Sequence, residues 1–248
     1  MESFIEAAIE ANQTIAALLR DNKDDALFYP AKEGDDGIGY GGDRSLRIDL
    51  IAEDIFIERL SRFGRVNSEE RGPFGEGEDE IVIDPIDGSA NIASGIPYYG
   101  SAVALKRNGK PICSVTCNLA NDECFIKSPS DRYRRGLFSA EKKPISRALR
   151  PLAGIFEKAY SHPKSVAAMR KNGLKFRSPG ALALSLAYAR DARFALAMGR
   201  SREYDIIGGL HLCDDLHIFT SEKLIIVSAD FVVFERLKSI FIEDESEH

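Results

Sequence analysis

Apolar positions along this chain follow two different spacings, and together they predict a mixture of helices and strands. Phe4, Ala8, Ile9, Ile15, Leu18 and Leu19 suit one face of an opening helix, and Leu46, Leu50, Ile51, Ile55, Ile57 and Leu60 suit a second. Between them, residues 32–43 combine acidic residues with glycines, Gly34-Asp35-Asp36-Gly37 and Gly41-Gly42, which predicts a hinged loop. A polar, glycine-rich turn over residues 71–80 leads into a short apolar strand, Ile81-Val82-Ile83. Residues 99–105 and 111–117 read as two strands joined at Asn108-Gly109, a dipeptide that tolerates the positive φ angles of a tight hairpin. The second half alternates more regularly. Strands are expected at 153–160, 174–177, 193–198 and 224–227, and helices at 163–171, 181–190, from about Asp205, and at 231–241. Such alternation implies an α/β layered fold of mixed (α+β) type, since the hairpin excludes a wholly parallel sheet. Two halves are expected: residues 1–135 as an α+β unit, and residues 136–248 as an α/β unit carrying Asp205.

Composition narrows the class. The chain has 248 residues, 44% hydrophobic and 29% charged, which is ordinary for a globular protein with an ample core. Its net charge of −6 argues against nucleic acid as a partner, because phosphate-backbone binding needs a basic surface. A small anionic substrate would then need local positive charge, which metal ions can supply. No segment approaches the apolar length of a membrane span, and the start at Met1-Glu2-Ser3-Phe4 lacks a basic region followed by an apolar stretch, so a cytoplasmic location is expected. Four cysteines, Cys113, Cys117, Cys124 and Cys213, are then expected to be reduced; Cys113 and Cys117 read as buried structural residues rather than zinc ligands.

The chemistry concentrates in Ile81-Val82-Ile83-Asp84-Pro85-Ile86-Asp87-Gly88-Ser89-Ala90-Asn91. A strand ending in Asp84 delivers a carboxylate to the sheet's carboxyl edge, where layered α/β folds bind ligands. Pro85 is expected to turn the chain so that Asp87 returns to the same point. Two carboxylates held so close repel unless cations sit between them, and hard oxygen ligands favour magnesium or manganese over zinc. Gly88-Ser89 then opens a helix whose backbone N–H groups suit a phosphate. Taken alone, the segment could equally be a turn aspartate followed by a helix cap. Two further acidic motifs shift that balance: Ser68-Glu69-Glu70 upstream and Glu203-Tyr204-Asp205-Ile206-Ile207-Gly208-Gly209 downstream.

With these three motifs in order, the chain resembles the inositol monophosphatase family of the lithium-sensitive phosphatase superfamily that includes fructose-1,6-bisphosphatase. Phe176-Arg177-Ser178-Pro179-Gly180-Ala181-Leu182 also resembles that family's arginine-x-x-glycine-small segment, and Gly95-Ile96-Pro97-Tyr98-Tyr99 its archaeal-type branch. The resemblance implies a layered αβαβα sandwich, a homodimer, and two or three Mg2+ ions for which Mn2+ can substitute. It assigns Glu69, Asp84 and the Ile86 carbonyl to one ion, and Asp84, Asp87 and Asp205 to another; Asp43 lies near a third, with Asp49 as a supporting carboxylate. Glu69 and Ser89 orient the attacking water, and the backbone N–H groups of Gly88 and Ser89 hold phosphate oxygens. The loop ending at Asp43 is expected to close when metal and substrate bind.

The haloacid dehalogenase motif places its two aspartates two apart, whereas Asp84 and Asp87 are three apart, which argues against a covalent aspartyl-phosphate. A small sugar or cyclitol phosphate is the expected substrate. Met198 stands seven residues before Asp205, where animal-type relatives carry an inositol-binding glutamate. Arg177, Arg200 and Arg202 are candidates for a second phosphate remote from the metals, which tilts the expectation toward fructose-1,6-bisphosphate over inositol-1-phosphate. The alternatives are a nucleoside 3′,5′-bisphosphate phosphatase and a catalytically silent sugar-phosphate binder.

Overall fold

The computed structural model describes residues 1–21, 25–31, 38–42, 44–145 and 151–242. Two helices, α1 (Glu2–Asp21) and α2 (Arg47–Leu60), precede a run of strands: β1 (Arg65–Ser68), β2 (Gly72–Phe74), β3 (Glu80–Asp87), β4 (Gly100–Arg107), β5 (Lys110–Asn118), β6 (Glu123–Lys127), β7 (Arg132–Gly136) and β8 (Lys143–Pro144). A short helix, α3 (Ser89–Ala93), interrupts the run after β3. These strands form one eight-stranded sheet in the order β2-β1-β3-β4-β5-β6-β7-β8, antiparallel except for the β1–β3 pair. The later elements are β9 (Gly154–Glu157), α4 (Pro163–Lys171), β10 (Phe176–Arg177), α5 (Leu182–Ala187), β11 (Ala195–Met198), α6 (Glu203–Leu212), β12 (His217–Thr220), β13 (Leu224–Ser228) and α7 (Phe231–Phe241). Their strands make a second sheet, ordered β10-β9-β11-β13-β12, with β9 parallel to both neighbours and β13 antiparallel to both of its own.

Period-two alternation decides how the layers stack. Ile81, Ile83, Val103, Leu105 and Val115 point to one face of the first sheet and bury against Phe4, Ile9 and Ile15 of α1 and Ile48, Ala52 and Phe56 of α2. The other face meets α5 and α6, which also cover one face of the second sheet through Leu186, Ala195, Ala197 and Ile225. The outer face of that sheet packs on α4 and α7 through Phe156, Met169, Leu196, Val233 and Leu237. The result is the expected αβαβα sandwich, with α5 and α6 as its shared middle layer.

That middle layer depends on Gly209, where a Cβ would lie 2.4 Å from Leu186 Cβ; at Gly208 a Cβ would make only ordinary contact, 3.6 Å from Thr116 Oγ1. Gly209→Ala is therefore expected to lower the free energy of unfolding by about 2–3 kcal/mol, despite alanine's better helix propensity, because the α5–α6 contact must open. A denaturant midpoint equal to or above that of the wild type would contradict this packing account.

Three sequence expectations need correction. Strand β3 does not turn at Pro85 but runs on to Asp87. Asp84 pairs with Ala102 and Asp87 with Gly100, so a step of three residues on β3 opposes a step of two on β4. This bulge, at a proline that has no N–H for the ladder, brings two carboxylates three residues apart to the same face. Second, Cys117 and Cys124 are not reduced: they face each other across β5 and β6 and are joined by a disulfide. The pairing was hidden because the polar flanks of β6 do not read as a strand, and β7, with the sequence Arg-Tyr-Arg-Arg-Gly, reads as charged surface. Cys113 and Cys213 are free and buried, as expected of structural thiols. Third, α2 buries Ile48, Ala52, Phe56 and Leu60 rather than the expected face, on which Leu46, Leu50, Ile51, Ile55 and Ile57 are only half-buried. Among the described residues, no helix is long and apolar enough to cross a membrane.

Candidate active site

Three buried carboxylates converge from three elements. Strand β1 runs parallel to β3 with Ser68 opposite Ile83, and the Glu69 N–H donates to the Ile83 carbonyl at 3.1 Å. Glu69 and Asp84 therefore leave the two strands side by side. Asp205 comes from the first turn of α6, where its Oδ2 accepts the Arg202 N–H at 3.2 Å and so caps its own helix. Glu69, Asp84 and Asp205 each offer an oxygen within 4.8 Å of the others. Asp87 stands apart from this triad: its Oδ2 accepts the Leu184 N–H, at 2.7 Å, in the first turn of α5.

The triad opens into a cavity of about 740 Å3. Besides the triad, its walls include Asp49, Ile86, Asp87, Gly88, Ser89, Met198, Arg200 and Arg202. Gly88 precedes α3 with φ 89°, and a Cβ there would sit 3.1 Å from both Ala181 Cβ and the Tyr98 carbonyl, so the turn requires glycine on two counts. The start of α3 thereby faces the same cavity as the carboxylates. Asn91 anchors this turn, donating from Nδ2 to the carbonyls of Tyr98 and Pro179 at 2.7 Å each.

Two of the arginines expected to meet substrate are placed differently. Arg177, on edge strand β10, is exposed and donates to its neighbour's carbonyl, that of Phe176, outside the cavity. Arg202 is in the cavity but not remote from the carboxylates: its guanidinium reaches Glu69 Oε1 at 2.6 Å and both oxygens of Asp205 at 2.9 and 3.0 Å. Its position before α6 swings the side chain back over the helix start. Asp43, and residues 32–37 of the loop expected to close, lie outside the described residues.

Glu157 was not singled out by sequence reasoning. It ends β9 as Asp84 was expected to end its strand, is 3% exposed, and accepts from the Gly180 N–H at 2.9 Å and from the Ser185 hydroxyl. Ser185 in turn contacts the Tyr98 hydroxyl at 3.0 Å. An apolar strand that stops at an acid, Gly-Ile-Phe-Glu, was the available signal. Lys158, Tyr160 and Arg44 also line the cavity.

Burial raises the proton affinity of Asp84, Asp87, Glu157 and Asp49. Asp84 is held well above the usual carboxylate range, first by desolvation and then by the charges of Glu69, Asp87 and Asp205, with Arg202 opposing. Desolvation likewise raises Asp87, partly offset by the Leu184 N–H, and raises Glu157. The Asp49 carboxyl is pushed up to about 8 by burial, although its Oδ2 accepts the Leu46 N–H at 2.6 Å. Such groups favour folding only while protonated, so their stabilising effect is complete below about pH 4 and is lost as pH rises through the folded value. The metal-free protein is thus expected to lose thermal stability between pH 5 and 8. Asp49→Asn, which keeps an oxygen for Leu46, should flatten that slope; an unchanged slope in melting scans would count against Asp49 as a contributor.

This donor set fits a divalent cation of the hard, oxygen-preferring kind. All three triad groups are carboxylates, and Asp84 Oδ1 is buried with no hydrogen-bond partner. Sequence comparison agrees in direction. The model of the inositol monophosphatase family matches residues 1–215. The fructose-1,6-bisphosphatase of Pyrococcus furiosus is 30% identical over 167 residues, covering 65% of this chain and 59% of that protein. The fructose-1,6-bisphosphatase/inositol-1-monophosphatase of Thermococcus kodakarensis is 38% identical over 89 residues, 35% of each. The matched stretches thus span less than two thirds of either relative. Among solved structures, the IMPase of Thermotoga maritima superposes with a TM-score of 0.72 at 21% identity, covering 96% of this chain and 97% of that one; at this identity the likeness is one of fold.

Proposed function

We propose that this chain, which belongs to the inositol monophosphatase family, hydrolyses a small sugar or cyclitol phosphate with the help of magnesium. The observation that carries the reading is the buried Glu69–Asp84–Asp205 triad, set beside the start of α3 in one cavity. Glu69, Asp84, Asp205, the nearby Asp87 and the Ile86 carbonyl would hold the ions. When bound there, magnesium would neutralise charge on the phosphate oxygens and acidify a water.

The chain's own residues do the rest. Backbone N–H groups of Gly88 and Ser89 hold the phosphoryl oxygens, since the first turn of a helix leaves them without intrahelical partners. Glu69 and the Ser89 hydroxyl orient the attacking water, the Glu69 carboxylate takes up its proton, and the Asp49 carboxyl stands beside Glu69 as a supporting group. The new P–O bond forms opposite the one that breaks, with inversion at phosphorus, and the departing alkoxide is released as the alcohol by taking a proton from water in the open cavity. Arg44, Lys158 and Arg200 add positive charge to the cavity lining, and Met198 offers no carboxylate to receive cyclitol hydroxyls. Both features favour a sugar bisphosphate over inositol-1-phosphate. Phosphate release in saturating Mg2+ from fructose-1,6-bisphosphate, inositol-1-phosphate and a nucleoside 3′,5′-bisphosphate tests this. The expected order places fructose-1,6-bisphosphate first in kcat/KM; turnover of none of the three would overturn the reading.

A further inference from the structure

The Arg202 guanidinium occupies a built seat. Nη1 lies 2.6 Å from Glu69 Oε1 and 3.1 Å from the Gly41 carbonyl, while Nη2 and Nε take the two oxygens of Asp205 at 2.9 and 3.0 Å. Gly41 makes the room: a Cβ there would meet Glu69 Cγ at 2.7 Å and Arg202 Nη1 at 2.9 Å. The Gly41 N–H also donates to the Glu69 carbonyl at 2.6 Å, which ties residues 38–42 to the same seat. Two of the three triad carboxylates are thus bridged by one planar cation, and the third, Asp84, keeps an oxygen without a partner. An ion that takes oxygens from Glu69 and Asp205 competes for the lone pairs the guanidinium already uses.

We propose that Arg202 is a positioning residue for the metal, a tethered counter-ion that holds Glu69 and Asp205 in register and is exchanged for the divalent ion, so that it sets metal affinity. The physical logic is exchange. Without a cation, Glu69, Asp84 and Asp205 repel one another in a buried setting, and the bidentate fork of arginine matches a carboxylate better than any other side chain. Entry of the metal must first break those charge-assisted hydrogen bonds, and their free energy is subtracted from that of metal binding. The inference rests on the metal reading of the preceding subsection and deepens it.

The test uses the full chain, stripped with a chelator, in two measurements: titration calorimetry with MgCl2 and with MnCl2, and thermal melting with and without each metal. Arg202→Met keeps the apolar stem and removes the charge. Its metal-free melting temperature is expected to fall by roughly 3–8 °C. Its Mg2+ dissociation constant is expected to tighten about tenfold, with a larger metal-induced rise in melting temperature than in the wild type. An arginine that only props up the fold predicts the same loss of stability with unchanged or weaker metal binding, and that result overturns the proposal. Arg202→Lys keeps a cation but cannot span both carboxylates, so its affinity should fall between the two; if Arg202→Met is insoluble, this variant decides by the same criterion. A wild type that binds neither metal would defeat the metal reading itself, whereas normal wild-type binding with no gain in the variants defeats only the tethered counter-ion.

Discussion

Asp84→Asn is expected to lower turnover at saturating Mg2+ by a factor of about 10^3 or more while raising the melting temperature of the metal-free protein by roughly 2–5 °C. Both halves follow from one fact, that Asp84 is a buried acid, 2% exposed, among Glu69, Asp87 and Asp205. Its folded proton affinity is raised, so at neutral pH the charged form opposes folding and its removal relieves repulsion. The same charge is the one the site needs, because a neutral amide at the centre of the triad offers a weaker ligand and no anionic charge. Near-normal turnover, or a lower melting temperature, would each break the argument at a different link. The first would remove Asp84 from the chemistry, and the second would show that its burial is compensated by something other than the triad.

Gly88→Val is expected to be nearly as damaging to turnover, by a factor of about 10^2 or more, with substantial loss of stability. At φ 89° a side chain is strained, and β-branching adds to that cost. The new Cβ also comes within 3.1 Å of Ala181 Cβ and of the Tyr98 carbonyl, both of which are fixed by the Asn91 and Glu157 networks. The turn that presents Gly88 and Ser89 to the phosphate must then move away from the carboxylates. Gly88→Ala should show the same pattern more weakly. Measuring kcat and the denaturant midpoint together separates misplacement from unfolding: a variant with wild-type kcat and merely reduced stability would show that the position of this turn is not used in the reaction.

Much of the framework was legible because local signals and tertiary structure agreed. The sequence pattern puts helices α4 and α7 at 163–171 and 231–241, the bounds they have, since Pro163 opens the one and the apolar spacing of Val233, Phe234, Leu237 and Phe241 gives the other its buried face. The Asn108-Gly109 turn was legible for the same reason, with φ of 51° and 75°. What escaped depended on partners distant in sequence. The disulfide needed β6 to be recognised as a strand, and β6 is defined only by its pairing with β5 and β7. Pro85 suggested a turn because proline usually ends a ladder, whereas the sheet absorbs it as a bulge. The seat of Arg202 depends on Gly41, 161 residues away, so spacing along the chain could not distinguish a substrate-facing arginine from one lying on carboxylates. Glu157 was visible in principle, but an acid after an apolar strand becomes informative only when the sheet edge it reaches is known.

The central claim, that Glu69, Asp84 and Asp205 hold the divalent ion used to hydrolyse a phosphate monoester, is tested most directly by phosphate release from fructose-1,6-bisphosphate as Mg2+ is titrated into chelator-stripped enzyme. The account predicts no release without metal, a saturable return of activity in the wild type, and no return at any Mg2+ concentration in Asp84→Asn. Undiminished release in excess chelator, or Mg2+-driven release by Asp84→Asn equal to that of the wild type, would contradict it.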